Sequence, residues 1–350
     1  MHEELEQLTL PLLMWYQEHK RDLPWRNDPQ PYRVWVSEIM LQQTRVAAVL
    51  DYYRRFMDAL PTVEDLAEVP EDALMKLWQG LGYYSRARNL QKAAKQIVSE
   101  HGGQFPGNYE DIRALPGVGD YTAGAVASIA FGIPVPAVDG NVIRVTSRLR
   151  GIRENLGIPS VKRQIAAEAA ALVSRDRPGD FNQAMMDLGA TVCTPGTPSC
   201  EKCPLCARCD AYAEGDAEDI PQLPRRNPPK EIEYDLCLIY AGGRVLMRQR
   251  TEVMLGGLWV YPMIDGWHTL KQLPAAVKRK TGVKVSGAAY LGEAKHVFTH
   301  QVWKMKIYAM QAEVKEDPAG WRFVTLEEMN ALAIPTAVKA AVKQAREALS

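Results

Sequence analysis

Five of the six cysteines in this 350-residue chain lie between Cys193 and Cys209. Such crowding requires a short segment to fold so that several thiols meet. The chain contains no apolar run of about eighteen residues, and its N-terminus, Met1-His2-Glu3-Glu4, is acidic where a secretory signal would be basic. We therefore expect a cytoplasmic protein, in which a reducing environment disfavours disulfides and makes metal binding the better explanation of the crowded cysteines.

The spacing within this cysteine run bears on the kind of metal centre. Cys193, Cys200, Cys203 and Cys209 have six, two and five residues between them. Zinc remains the alternative, although zinc sites more often use two separated C-x-x-C pairs. Cys206 adds an ambiguity, because Cys200, Cys203, Cys206 and Cys209 form a second, evenly spaced quartet. The six-two-five spacing resembles that of the endonuclease III superfamily, which implies a [4Fe-4S] cluster held by Cys193, Cys200, Cys203 and Cys209.

Chain length predicts two domains, because 350 residues exceed what a single hydrophobic core usually serves. Apolar residues recur at helical spacing through residues 1–213, with predicted helices over Ser85–His101, Asp120–Phe131 and Val161–Ser174. The segment 214–231 predicts a linker, since its Pro224-Arg225-Arg226-Asn227-Pro228-Pro229 can neither continue a helix nor pair well in a sheet. The first domain is therefore predicted to be all-α.

Residues 232–350 predict a smaller α+β domain. Asp235–Tyr240 and Val245–Arg250 flank Ala241-Gly242-Gly243-Arg244, which is a hairpin signal. Cys237 alternates with apolar residues in the first of these strands, which indicates a small buried hydrophobe. Further predictions are a strand over Val302–Met310, a capping box from Thr325 and Glu328, and a helix over Pro335–Leu349.

A glycine-containing turn gives the first sign of a nucleic-acid partner, which a net charge of zero does not. Leu115-Pro116-Gly117-Val118-Gly119-Asp120 lies between two helical stretches, and Gly117 and Gly119 would let backbone N–H groups approach an anion. Alone, such a turn is more often an ordinary helix connection. Here Val138-Asp139-Gly140-Asn141-Val142 and the cysteine run follow in the order that helix-hairpin-helix DNA glycosylases have, so the chain resembles that group.

Several further segments share one pattern: Leu23-Pro24-Trp25-Arg26, Pro31-Tyr32, Glu38, Leu41-Gln42-Gln43-Thr44, Gly80-Leu81-Gly82-Tyr83-Tyr84 and 181–190. Together they resemble the MutY family of adenine DNA glycosylases over nearly all of residues 10–210. Alone, Glu38 would be interpreted as a surface glutamate. The combination is specific, and it implies a DNA-repair enzyme.

The resemblance implies roles for four residues around the glycosidic bond. Breaking that bond requires a proton for the departing base and a negative charge beside the sugar cation. Glu38 would protonate adenine and later help to position water, Asp139 would stabilise the cation, and Asn141 would orient Asp139 or the water. Tyr121 occupies the position where bifunctional relatives carry a Schiff-base lysine. Tyrosine has no amine, so we expect a monofunctional enzyme that leaves an abasic site.

The resemblance also implies contacts with a flipped base and its partner. Gln43 and Tyr83 would act as wedges around 8-oxoguanine, with Thr44 and Leu81 nearby. Trp25, Arg26 and Gln183 would lie near the extruded adenine. Two alternatives stay open: Tyr83 could be ordinary core packing, and the basic residues between Arg144 and Arg163 could either track phosphates or form a solvated helix face.

The C-terminal domain contains Gly256-Gly257-Leu258-Trp259-Val260-Tyr261-Pro262, which resembles the entrance to a Nudix-type fold. The stretch 275–283 then has Ala, Arg and Lys where a Nudix hydrolase has magnesium-binding acids, so nucleotide hydrolysis is not expected. His296-Val297-Phe298-Thr299-His300 resembles the loop with which the MutY family senses 8-oxoguanine. Phe298, Thr299 and His300 are therefore predicted recognition residues, although both histidines could simply be exposed strand-end residues.

These patterns predict an enzyme that removes adenine paired with 8-oxoguanine, and also adenine opposite guanine. Its expected partner is double-stranded DNA containing A·8-oxoG or A·G mispairs. The expected location is cytoplasmic and nucleoid-associated, in a bacterial cell, with no membrane partner and a monomeric state. The alternatives are a thymine or oxidised-pyrimidine glycosylase on the same scaffold, and a non-catalytic lesion-binding module.

Overall fold

The computed structural model describes residues 2–225, 227–313 and 316–350, with side chains from residue 7 onward. The chain divides into two compact units, Met1–Glu68 with Arg88–Arg225, and Val69–Ala87 with Arg226–Ser350. The division after residue 225 falls within the segment 214–231 that was predicted as a linker. Among the helices of the described ranges, none is both long and apolar enough to cross a membrane.

Regular structure occupies most of both units. The helices are α1 (His2–His19), α2 (Pro24–Asn27), α3 (Pro31–Leu41), α4 (Val46–Ala59), α5 (Val63–Glu68), α6 (Glu71–Leu77), α7 (Ser85–His101), α8 (Tyr109–Ala114), α9 (Asp120–Phe131), α10 (Gly140–Leu149), α11 (Pro159–Leu172), α12 (Pro178–Thr191), α13 (Asp210–Glu214), α14 (Leu273–Thr281), α15 (Leu326–Ala331) and α16 (Lys339–Leu349). The strands are β1 (Lys230–Ala241), β2 (Arg244–Gln249), β3 (Trp259–Val260), β4 (Met263–Asp265), β5 (Val285–Val297), β6 (Gln301–Ala312) and β7 (Arg322–Val324). Short 3-10 turns form at Cys200–Lys202, Cys206–Arg208 and Thr336–Val338.

The first unit is a helical array, as predicted. One apolar cluster joins α1 to α10, α11 and α12 through residues such as Leu12, Leu149, Leu172 and Leu188. The contact between α10 and α12 requires a glycine, because a Cβ on Gly189 would lie 2.6 Å from Cβ of Asn141. This close approach sets the position of the start of α10, where Asp139 and Asn141 lie.

Helix α3 is buried over its whole middle, from Val34 to Met40. Helix α3 packs against both α4 and α9. Glu38 lies within this buried stretch and is 5% exposed. A charged side chain in such a place is rarely structural unless it is paired.

The second unit is a mixed sheet with helices on both faces. The strand order is β3-β2-β1-β6-β5, with β4 paired to β1 and β7 paired to β2. Strands β1 and β6 are parallel and the other pairs are antiparallel. Alternate residues of β1 enter different cores: Leu236 and Leu238 pack in the cluster that contains Ala341 of α16, and Cys237 and Ile239 in the cluster that contains Val277 of α14.

Predictions from local pattern are confirmed at several elements. Helices α7 and α9 have the predicted bounds, and α11 covers most of the predicted 161–174 helix. Gly242 and Gly243 both have positive φ in the β1–β2 turn, which such a hairpin requires. The capping box of Thr325 and Glu328 is present, and Cys237 is fully buried.

Residues 69–87 join the second unit, which no local pattern indicates. Lys76 donates hydrogen bonds to the carbonyl oxygens of Asn330 (2.7 Å) and Leu332 (3.0 Å). Gln79 donates to the carbonyl of Ile334 (2.7 Å). The second unit therefore combines a short segment from the first third of the chain, residues 69–87, with the C-terminal fold.

Candidate active site

A cavity of about 720 Å³ opens in the first unit between the starts of α9 and α10 and the helices α2, α3 and α12. The sequence-predicted residues that line it are Trp25, Arg26, Glu38, Gln43, Thr44, Tyr121, Asp139, Asn141 and Gln183. These side chains come from positions far apart in the chain. The fold thus brings together all four predicted catalytic residues in one cavity.

Glu38 is the buried acid of this cavity. Burial raises the pKa of Glu38 to about 7, and the negative charge of Asp139 adds to the rise. The hydrogen bond from Tyr121 and the charge of Arg26 oppose it. A carboxyl group with a pKa near 7 can hold a proton at neutral pH and release it to a leaving group.

Asp139 lies at the N-cap of α10, where its hydrogen bonds favour the charged form. Its Oδ1 accepts from the Val142 backbone N–H at 2.7 Å, and its Oδ2 accepts from Asn141 Nδ2 at 2.8 Å. Burial raises the pKa of Asp139, but these donors oppose the rise. The two carboxylates therefore differ in surroundings, which is the arrangement that separates an acid from a charge-stabilising partner.

Tyr121 connects α9 to the buried acid. Its hydroxyl donates to Oε2 of Glu38 at 2.5 Å and lies 3.5 Å from the sulfur of Met186. Burial, together with the nearby carboxylates, raises the pKa of Tyr121 well above its ordinary value. Tyr121 therefore remains a neutral donor at physiological pH.

Asp187 is a residue that sequence reasoning missed. It is 1% exposed, and Arg26 donates to its Oδ2 from Nη1 (2.7 Å) and to its Oδ1 from Nη2 (3.0 Å). Arg21 donates to the same carboxylate from Nε at 2.8 Å. Burial alone would raise the pKa of Asp187, but the bonds from Arg26 and Arg21 lower it. Asp187 thus holds Arg26 against the cavity; it lies in the 181–190 segment of the family pattern, but no role was predicted for it.

A hydrogen-bonded chain runs from Asp139 to the cysteine segment. Asn141 donates to Asp139, and Arg144 Nη2 donates to Asn141 Oδ1 at 3.0 Å. Arg144 Nε donates to the carbonyl of Cys193 at 2.8 Å. Arg144 is therefore engaged inside the unit, which neither of the two sequence interpretations of the basic stretch anticipated.

The cysteines line a second, small cavity of the first unit, together with Arg148. All five thiols from Cys193 to Cys209, including Cys206, border it, and none of them forms a disulfide. Within the described ranges, no three His, Cys, Asp or Glu side chains are grouped as ligands of a single metal ion.

The burial and charge of Arg148 indicate which kind of group fits in this cavity. It is 2% exposed and donates to the carbonyls of Thr194 (2.8 Å), Gly196 (3.0 Å) and Ile220 (2.9 Å) and to Cys193 Sγ (3.4 Å). In the part of the chain that the structure describes, it has no carboxylate partner. A buried guanidinium requires nearby negative charge, which metal-bound thiolates would supply. The cavity therefore fits an anionic centre held by cysteines.

The predicted hairpin connects α8 to α9. Gly117 has φ +77°, and a Cβ there would lie 2.6 Å from Cβ of Asn89, so both conformation and space require glycine. Gly119 is the N-cap of α9, with open space around it and no side-chain cap. Because Gly119 has no side chain, nothing at this position blocks a phosphate from approaching the first N–H groups of α9.

Gln43 and Tyr83, the predicted wedges, both have left-handed backbones, with φ of 57° and 48°. Such conformations are uncommon for residues other than glycine and concentrate at functional positions. Tyr83 is 46% exposed, which argues against simple core packing, whereas its neighbour Leu81 is 7% exposed. Leu81 thus packs inside the second unit.

The predicted recognition loop lies between β5 and β6 of the second unit. Thr299 Oγ1 lies 2.6 Å from the hydroxyl of Tyr83, so the fold brings these two predicted residues together. Phe298 packs edge-on against His296 and Trp303, with ring centroids 4.5 and 4.8 Å apart. Thr299 and His300 are exposed, as a residue that contacts DNA must be.

Comparison with known proteins agrees with this geometry. The model of the HhH-GPD superfamily of base excision DNA repair proteins matches residues 36–174, and the NUDIX domain model matches residues 236–344. The adenine DNA glycosylase of Mus musculus is 38% identical to this chain, over 94% of this chain and 76% of that protein. The adenine DNA glycosylase of Homo sapiens is 37% identical, over 94% and 72%.

Solved structures are similar over the helical part. A thermostable thymine-DNA glycosylase is 30% identical, with a TM-score of 0.55, and covers 61% of this chain and 98% of its own. Endonuclease III trapped as a covalent intermediate with DNA is 25% identical, with a TM-score of 0.52 and the same coverage.

Proposed function

The chain belongs to the adenine DNA glycosylase family, and from this we propose that it removes adenine paired with 8-oxoguanine, and adenine opposite guanine, from double-stranded DNA. One observation carries the proposal: a buried acid with a pKa near 7 shares a cavity with a capped, hydrogen-bonded aspartate. That pair matches the two needs of N-glycosidic hydrolysis.

Glu38 would act first, as general acid. A proton on Glu38 would pass to a ring nitrogen of the extruded adenine while the bond from that base to the sugar breaks. Proton donation by a positioned acid typically contributes about 10²–10⁴-fold in rate. Glu38 would then hold the attacking water, taking up the proton that the water loses.

Asp139 would stabilise the cationic sugar, because its two donors keep negative charge on the carboxylate despite burial. Asn141 would position Asp139. Arg26, held by Asp187, would contact the base, beside Trp25 and Gln183.

Tyr121 supports hydrolysis without strand cleavage. An abasic lyase of this superfamily needs an amine at the sugar carbon, and Tyr121 has only a neutral hydroxyl. We therefore propose a monofunctional enzyme whose product is an abasic site.

Recognition of 8-oxoguanine would fall to the second unit. Thr299 offers a hydroxyl that can both donate and accept, with Phe298 and His300 beside it. We assign base excision to residues 1–68 and 88–213, and lesion recognition to residues 232–350 together with 69–87, because residues 69–87 contact the second unit. The predicted linker 214–231 connects the two parts, and its last two residues belong to β1.

Cys193, Cys200, Cys203 and Cys209 would hold a [4Fe-4S] cluster, with Arg148 balancing its negative charge. Such a cluster, when bound, would cross-link the segment 193–209 through iron–sulfur bonds. We place the protein in the cytoplasm, at the nucleoid of a bacterial cell, as a monomer on DNA.

The test is single-turnover base release from duplexes with A·8-oxoG, A·G, G·T and C·8-oxoG pairs. Glu38→Gln and Asp139→Asn are compared with wild type, and with Glu18→Gln as an exposed control. Free adenine from the first two duplexes, reduced roughly 10²-fold or more in the two cavity variants only, would support the proposal. Binding without release would replace it with a lesion-binding module.

Release of thymine from G·T would favour the alternative function, a thymine glycosylase, to which the similar thymine-DNA glycosylase structure also points. That structure covers 61% of this chain, whereas the adenine glycosylases align over 94%. The longer similarity is why adenine is the proposed substrate.

A further inference from the structure

A cavity of about 60 Å³ lies in the second unit, and none of the predicted recognition residues Phe298, Thr299 and His300 lines it. Its lining is largely charged: Arg248, Arg250, Glu252, Asp265 and Lys280, with Tyr234 beside them. A water occupies about 30 Å³ in the liquid, so this space suits a group of only a few atoms.

The cations of this cavity outnumber its carboxylates. Arg248 and Arg250 have side chains only 19% and 11% exposed, and both pair with the single carboxylate of Glu252. Burial alone would raise the pKa of Glu252, but the hydrogen bond from Arg248 and the charges of both arginines lower it to about 2. The single carboxylate of Glu252 therefore pairs with two mostly buried guanidinium groups, and one of their two positive charges is not neutralised by it.

Arg250 has unused donors. Its Nε donates to the carbonyl of Met254 at 3.0 Å, and its Nε also lies 3.6 Å from Glu252 Oε2. Among residues 2–225, 227–313 and 316–350, its two terminal nitrogens have no hydrogen-bond partner. The guanidinium lies 5.6 Å from the ring centre of Trp303, which keeps it in place. Arg250 is therefore pre-organised to donate to something not supplied by the chain.

Lys280 adds a third cation on the same side. It belongs to α14, whose last turn carries Lys278, Arg279 and Lys280 where a Nudix hydrolase would carry metal-binding acids. Its pair with Asp265, at 3.6 Å, is between two exposed side chains and therefore weak. Lys280 can turn toward a ligand at little cost.

From this arrangement we propose that the Arg248–Arg250–Lys280 cavity binds a phosphate group, either of the DNA backbone or of a free nucleotide, without a divalent cation. Guanidinium forks match the oxygens of phosphate, and the mobile side chain of Lys280 adds a positive charge without a metal ion. The ligand is held by charge and hydrogen bonds only, since the two carboxylates that line the cavity, Glu252 and Asp265, are already paired with its cations. The proposal does not depend on adenine excision.

The experiment uses the full chain in EDTA and has two parts. Calorimetric titration with dGMP, and separately with inorganic phosphate, tests a free source. The affinity for a mismatch-free duplex over a salt series tests a backbone source. Arg250→Gln and Lys280→Gln are compared with wild type, and with Lys278→Gln, an exposed cation on the same helix that does not border the cavity.

For a free nucleotide, dGMP affinity should fall roughly tenfold or more in Arg250→Gln, and less in Lys280→Gln. For a backbone phosphate, the slope of log affinity against log salt should decrease by about one in both variants. Lys278→Gln should match wild type in either part. If Arg250→Gln is unfolded, Lys280→Gln decides, because its side chain is exposed. Identical dGMP binding and salt slopes in all proteins, or an equal loss in Lys278→Gln, would overturn the proposal.

Discussion

The hydroxyl of Tyr121 donates a hydrogen bond to Oε2 of Glu38, at 2.5 Å, inside a cavity that also contains Asp139. This bond stabilises the ionised form of Glu38, whereas burial and Asp139 favour the protonated form. The balance between them sets the pH at which Glu38 can serve as an acid.

Tyr121→Phe should move the alkaline limb of the excision profile to higher pH. Removing the donor raises the pKa of Glu38 further, and a general acid loses activity as pH rises through its pKa. Single-turnover rates between pH 5 and 9 measure the shift, with Tyr109→Phe as a control at a half-buried tyrosine that does not line the cavity. An unchanged limb, or one that moves to lower pH, would contradict the role given to this bond.

Glu38→Gln should stabilise the protein at alkaline pH. A raised folded-state pKa means that Glu38 contributes full stability below its unfolded value, 4.5, and loses that contribution as pH rises through about 7. Above pH 7 the free energy of unfolding of Glu38→Gln should therefore exceed that of wild type by up to roughly 3 kcal/mol. Near pH 4 the two proteins should differ very little. Thermal melts at pH 4.5 and 8.5 test this. A stability difference independent of pH would show that Glu38 is not the titrating group.

Asp187→Asn should reduce both stability and activity. It leaves Arg21 and Arg26 without their shared carboxylate, and breaking a buried ion pair in this way costs about 3–5 kcal/mol. Because Arg26 would lose its position in the cavity, the excision rate should fall more than DNA affinity. Asp180→Asn, at a half-exposed pair with Arg177, is the control and should cost about 1 kcal/mol or less. Equal effects of the two variants would refute the positioning role of Asp187.

Arg144→Lys should slow excision while leaving iron content unchanged. Lysine keeps the charge but cannot reach Asn141, Gly189 and Cys193 together as the guanidinium does. Single-turnover rates and iron per chain are the measurements, with Arg153→Lys as control, since the exposed Arg153 pairs with the half-buried Asp216 outside the cavity. A full rate in Arg144→Lys would mean that Asn141 and Asp139 are positioned without it.

Cysteine substitutions should separate the four proposed ligands from Cys206. Cys206→Ser should retain the iron and visible absorbance of wild type, because the six-two-five spacing leaves it out. Cys203→Ser should lose most iron and melt at a lower temperature, since metal binding contributes to folding of its segment. Iron loss in Cys206→Ser with retention in Cys193→Ser would assign the ligands to the evenly spaced quartet instead.

The local pattern of the sequence was sufficient wherever neighbouring residues decide the structure. Helix periodicity and capping predicted Ser85–His101 and Asp120–Phe131, and the Gly242-Gly243 pair predicted the hairpin, because hydrogen bonds and φ angles within a few residues determine these elements. The order of Glu38, the glycine turn, Asp139 and the cysteines supported the family resemblance from which roles for these residues were predicted.

Tertiary structure decided what depends on residues distant in the chain. Asp187 holds Arg26 across 161 positions, Arg148 is buried although it belongs to a stretch rich in basic residues, and residues 69–87 join the C-terminal unit. Burial and pairing are properties of the packed interior, and one-dimensional periodicity cannot specify which distant side chains meet there. For the same reason the family resemblance could predict Glu38 as the acid, but only its burial among packed helices raises its pKa to about 7.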